Sequence, residues 1–154
     1  MNQMKGILIV DHGSTKHEAN HMLQSMADLI QTMAGSDVVV RYAHMELAHP
    51  DIVAGFTSCV EAGATDVTVF PYMLSPGRHS TSDIPRMVAD VARRFPQVSF
   101  SVTPAFGLHE KLAEVVLERA GIGVHANSHR LIAHRVDTPL GRGGHVPRRR
   151  RDLC

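Results

Sequence analysis

Tryptophan is absent from this chain, and tyrosine and phenylalanine supply only 2 and 5 residues, so its core is expected to be aliphatic. Valine, isoleucine, leucine, alanine and methionine must fill it. Cysteine is as scarce. Two thiols, Cys59 and Cys154, are too few for a disulfide framework or a four-thiolate cluster within one chain, and they suit a reducing compartment. No run of about 18 apolar residues is present to span a bilayer, and the N-terminus lacks the basic and apolar regions of a secretory signal. These absences predict a protein with no membrane partner, either cytoplasmic or imported with its transit segment missing from this sequence.

What is present bounds the rest. A chain of 154 residues with 44% apolar composition can bury one good core, which argues for a single folded domain. Eleven histidines are many for this length, and histidine is the commonest metal ligand. The net charge of +1 hides an asymmetry: residues 1–124 carry 9 Lys/Arg against 13 Asp/Glu, whereas residues 125–154 carry 7 Arg against 2 Asp. Four consecutive arginines without interleaved aromatics read as a solvated end and not as a nucleic-acid contact. The division expected is therefore a folded domain over 1–124 and a basic, disordered extension over 125–154.

Within the domain, strands and helices alternate. Residues 5–10, KGILIV, form a short apolar run that suits a parallel strand buried on both faces. From 16 to 34, Ala19, Met22, Leu23, Met26, Leu29, Ile30 and Met33 recur at spacings of three and four, the stripe of a helix that Gly35 ends. A second strand follows at 38–43. Pro50 in a first turn and Gly63 at the stop bracket a second helix. A third strand spans 67–73, and a loop then carries Gly77, Arg78 and His79 to a third helix capped by Asp83, with Pro85 in its first turn and Met87, Val88, Val91 and Phe95 on one face. A fourth strand at 99–103 and a fourth helix at 109–120 complete the set. Four such pairs predict an α/β fold of three layers, a four-stranded parallel sheet in the flavodoxin-like order 2-1-3-4 with right-handed crossovers. Ligands bind such sheets where the chain reverses, beyond the carboxyl ends of the strands.

That edge is where the chemistry collects. His12 lies two residues past the first strand, His79 in the loop past the third, and Glu46 past the second. Two imidazoles and a carboxylate around one crevice suit a divalent first-row metal with coordination positions left open. His44 and His49 bracket Glu46 as auxiliary ligands or residues of an access route. His17 and His21 are an i, i+4 pair that can clamp a metal on a helix surface, but no third ligand is evident, so they read as a solvated face.

The segments ILIVDHGS, AHMELAHPDI, GATDVTVFPYMLSPGRHSTSDIP and TPAFGLHEKL together resemble the small class II chelatases, which insert a metal into sirohydrochlorin as cobalto- or ferrochelatases. The resemblance covers about residues 5–121 and implies the chelatase-like α/β fold. It further implies insertion of Co²⁺ or Fe²⁺, or Ni²⁺, without a nucleotide, by a homodimer. Its metal-binding and proton-accepting histidines fall on His12 and His79, with Glu46 at a recurrent acidic position. HMELA and PGRHSTSDIP are closer to plant and cyanobacterial ferrochelatases than to archaeal forms. Those plant enzymes carry cysteines for an iron–sulfur cluster near their end, whereas this tail offers only Cys154, so no cluster is expected. Insertion into a tetrapyrrole removes two pyrrolic protons, which a neutral imidazole can accept. The carboxylates of sirohydrochlorin would meet Arg78, Ser14 and Ser75 with the loop N–H groups.

Two other classes compete. A phosphohistidine mechanism of the familiar type has arginine just before the histidine, whereas Asp11 stands there and repels phosphate. A metal-binding or delivery module without chelatase activity would use the same His12 and His79.

Overall fold

The structure is a computed structural model that describes residues 3–125, so the basic extension expected beyond that point lies outside the described residues. Two compact units divide after Gly107. The first contains β1 (Lys5–Asp11), α1 (His17–Ala34), β2 (Val38–His44), α2 (Ile52–Glu61), β3 (Asp66–Pro71), α3 (Ile84–Ala92) and β4 (Ser99–Val102). The second contains α4 (Glu110–Arg119), whose start is closed by His109, the ring Nδ1 accepting from the Lys111 N–H at 3.1 Å.

The sheet is fully parallel in the order β2-β1-β3-β4, as the alternation of elements predicts. Central β1 sits between β2 and β3, which explains its continuous apolar sequence: Leu8, Ile9 and Val10 are all buried, pointing alternately to opposite faces. Leu8 and Val10 join α2 and α3 in one cluster with Ile52, Phe56, Val67, Val69, Ile84 and Val88. Ile9 joins Val40 of β2 with Leu23 and Ala27 of α1 in a smaller one on the other face. Gly55 lets α2 settle on this sheet, because a Cβ there would meet Ala43 and Leu8 at 2.8 Å.

Several sequence expectations need correction. The core is not wholly aliphatic: Phe56 is completely buried, with Phe95 and Phe100 rings 6.0 and 6.5 Å away. α2 does not begin at Pro50, whose peptide bond to His49 is cis. It begins after Asp51, whose carboxylate accepts from the Ala54 N–H at 2.9 Å as an N-cap. The stripe of α1 is wider in sequence than in burial, since Met22, Leu29 and Met33 are exposed.

The largest departure concerns the segment before α3. Residues His79–Asp83 are not loop but one π-helical turn that runs directly into α3, the Ile84 N–H bonding the His79 carbonyl. Asp83 therefore caps nothing. Its carboxylate is free of the backbone and turns to side chains instead. Pi-turns inside helices accompany functional sites because the extra residue re-aims side chains.

Candidate active site

The carboxyl ends of β1, β2 and β3 continue as a backbone ladder past the strands proper. The Met45 N–H bonds the Asp11 carbonyl at 2.8 Å, the Glu46 N–H bonds the His12 carbonyl at 3.2 Å, and the Tyr72 N–H bonds the Val10 carbonyl at 2.7 Å. His12 and Glu46 are thereby registered side by side although they come from different loops. The approach is possible only at Gly13, where φ is +84° and a Cβ would overlap the Glu46 carbonyl oxygen.

His12 and His79 meet edge to face, ring centroids 4.3 Å apart and planes at 82°. Each imidazole has a carboxylate at its Nδ1. Glu46 Oε1 lies 3.5 Å from that of His12, and Asp83 Oδ2 lies 2.9 Å from that of His79. Both rings are about half exposed, at 48% and 43%. Where Nδ1 carries the proton toward its carboxylate, the second nitrogen of a neutral ring presents a lone pair, the state needed either to hold a metal or to take a proton. The π-turn explains the second pair: it places His79 and Asp83 four residues apart on one helical face.

The three residues expected to share the crevice are thus together. Ser14 is committed to the turn entering α1, its Oγ accepting from the Lys16 N–H at 3.0 Å and its N–H donating to Asn20 Oδ1 at 2.9 Å. Arg78 is 87% exposed, its Nε 4.0 Å from Asp83 Oδ1. Ser75 lies in the exposed segment just before it. Among the described residues no three His, Cys, Asp or Glu side chains close around a metal position. No described helix is long and apolar enough to cross a membrane.

Sequence reasoning missed Asp83 and Asp11 at the site and named His44 only as an auxiliary ligand or access-route residue. Asp83 looked like a cap, and its spacing from His79 was the available signal. Asp11 and His44 form a second imidazole–carboxylate pair, Nδ1 to Oδ1 at 2.6 Å, with His44 fully buried. Asp11 Oδ1 also accepts from the Gly13 N–H at 2.9 Å, so the pair braces the turn that carries His12. Burial, aided by the Asp11 charge, raises the Tyr72 pKa, and its phenol stays protonated beside the site. Cys59 is no candidate ligand: burial pushes its thiol up to about 12, against the lowering effect of Arg41.

Residues 6–121 match the CbiX family. Over 114 residues the chain is 44% identical to a chloroplastic sirohydrochlorin ferrochelatase of Arabidopsis thaliana, covering 74% of this chain and 50% of that protein. It is 32% identical over 156 residues to a sirohydrochlorin cobaltochelatase of Priestia megaterium, covering 97% and 48%. The sirohydrochlorin chelatase SirB from Bacillus subtilis subspecies spizizenii, in complex with cobalt, superimposes with a TM-score of 0.71 at 29% identity, over 77% of this chain and 50% of that one. The chain spans about half the length of these relatives.

Proposed function

The chain belongs to the CbiX family, and from that premise we propose that it inserts Co²⁺ or Fe²⁺ into sirohydrochlorin. The observation that carries the reading is the convergence of His12 and His79, from separate segments, each with a carboxylate at Nδ1. Insertion requires one group to present the metal and another to accept the two pyrrolic protons. A pair of facing imidazoles supplies both. Glu46 and Asp83 hold the ring tautomers and stabilise the positive charge a ring acquires with a proton. The metal is a substrate that must leave toward the macrocycle, so an open pair of ligands serves better than a closed cage. Arg78, exposed at this edge, suits a carboxylate of the pigment, with Ser14 and Ser75 flanking the same edge.

The chemistry needs no nucleotide, no nucleic acid and no resident cluster. A second copy of the chain would supply the half that the longer relatives carry in one polypeptide, so the working form is a homodimer in the cytoplasm. A monomer by light scattering under assay conditions, with full activity, would contradict the dimer.

The decisive assay follows sirohydrochlorin by absorption as Co²⁺, Fe²⁺ or Ni²⁺ is added. Metallation with the protein above the spontaneous rate is expected; unchanged kinetics would leave a metal-delivery module. His79→Ala should keep the fold, since the residue is half exposed, and lower the rate by about 10²- to 10⁴-fold. His12→Ala should act alike, and the double variant should lose far less than the product of the single losses, because both rings serve one event.

A further inference from the structure

The two histidines of the site are held in different ways. His79 sits on a helical turn that its own neighbours fix: the Ser80 hydroxyl accepts from the Gly77 N–H at 3.0 Å and donates to the Gly77 carbonyl at 3.1 Å, and the Thr81 hydroxyl donates to that carbonyl at 2.8 Å. His12 stands instead outside both β1 and α1, followed by Gly13 in the left-handed region at φ +84°. A short connection of this kind has several backbone wells open to it unless a group from elsewhere fixes its peptides. That group is one carboxylate oxygen. Asp11 Oδ1 accepts from the Gly13 N–H at 2.9 Å and lies 2.6 Å from Nδ1 of His44, which is 33 positions away in sequence. His44 is itself anchored: its N–H donates to the Pro50 carbonyl at 2.8 Å, and its ring meets that of Tyr42 edge to face at 5.8 Å.

The surroundings of His44 point to what the residue is for. An ionised carboxylate only accepts, so Nδ1 carries the hydrogen of the 2.6 Å bond. The ring is completely enclosed, and its Nε2 has no hydrogen-bond partner among the described residues. A buried polar atom left unsatisfied weighs against folding, and an apolar ring in the same place would avoid it. What an apolar ring could not supply is the short, charge-assisted bond to Asp11. We infer that His44 and Asp11 are positioning residues for metal insertion: together they hold the Gly13 turn so that the His12 ring stays against His79 and in register with Glu46. Their part is indirect, acting through the turn and not on the pigment or the ion. The effect on rate rests on the chelatase reading; the placement of the His12 ring is a property of the metal-free chain.

Two readouts on the full-length chain test this. In the metal-free protein, a nuclear Overhauser contact between the His12 and His79 rings reports their 4.3 Å approach. With sirohydrochlorin and Co²⁺, the insertion rate separates into kcat and KM. His44→Phe should fold with a melting temperature close to that of the parent, erase the ring contact and lower kcat by about 10- to 100-fold, the scale for groups that orient a functional histidine, with KM for the pigment unchanged. Asp11→Ala should act alike. Asp11→Asn should restore most of both readouts, because the two donors converge on one oxygen and an amide oxygen can accept them. A His44→Phe variant that keeps the ring contact and kcat would overturn the inference, as would a loss confined to KM. So would an Asp11→Asn variant as impaired as Asp11→Ala, which would place the effect in the charge and not in the geometry. If His44→Phe does not fold, the two Asp11 variants decide by the same readouts. The chelatase reading fails separately: a parental protein that leaves sirohydrochlorin unmetallated, while His44→Phe still parts the two rings, defeats that reading and retains the positioning.

Discussion

The two faces of the sheet are built from one strand pattern and put to different uses. On the α2 and α3 side, alternate residues of β1, β2 and β3 bury a continuous cluster around Phe56 that excludes water. On the α1 side the buried apolar cluster among the described residues is the smaller set Ile9, Leu23, Ala27 and Val40. The same helix presents His17 and His21 to a cavity at its first turns and leaves Met22, Leu29 and Met33 exposed. The contrast teaches that a small α/β protein can concentrate its apolar burial on one face, where α3 also carries the His79 turn, and leave the other face sparse.

Substitutions can break or sharpen that contrast. Phe56→Ala should be the most damaging to stability, at about 3–5 kcal/mol, because a completely buried ring on the dense face leaves a cavity that rigid neighbours cannot fill. Leu23→Ala on the sparse face should cost nearer about 2 kcal/mol, the low end for such truncations, since an open surround relaxes more readily. Equal losses in urea unfolding would show the faces to be energetically equivalent.

Gly13→Ala comes next, and its damage should be local. The left-handed backbone costs about 1–3 kcal/mol for a residue bearing a Cβ, and relief of the overlap with the Glu46 carbonyl requires the two loops to part. Metal insertion should therefore fall more steeply than the melting temperature. A variant with parental activity would show that the His12–Glu46 register is dispensable.

Alkaline titration probes the dense face from inside. The folded thiol pKa of Cys59 is raised from 9.0 to about 12, so in that window the unfolded chain releases a proton that the folded chain retains. This contribution is complete below pH 9 and is lost as pH rises from 9 toward 12. The parental protein should lose more stability over that range than Cys59→Ala, and its thiol should resist alkylation until unfolding. Rapid labelling of the folded chain would refute this.

Smallest of all, Met33→Lys should change stability by less than about 0.5 kcal/mol, as for surface changes away from packed features. A larger loss that vanishes at high protein concentration would show that α1 is covered when copies associate.

Much of this protein was determined locally. The apolar run of β1, the stripes of α1 and α3 and the glycine stops each need only a few consecutive residues, so the parallel sheet and its strand order were legible without coordinates. So was the gathering of His12, Glu46 and His79 at one edge, since strand order and loop position suffice to bring loop ends together. What only the tertiary structure decided was direction and partnership. Asp83 has the sequence context of a helix cap, yet the π-turn spends no side chain on capping and aims it at His79. His44 reads as a loop histidine, yet β2 extends through it and burial leaves it bonded to Asp11, a residue at the end of another strand. The physical reason is common to both. Secondary structure follows from neighbours along the chain, whereas the partner of a polar side chain is fixed by which distant backbone segments pack within about 3 Å, the reach of a hydrogen bond.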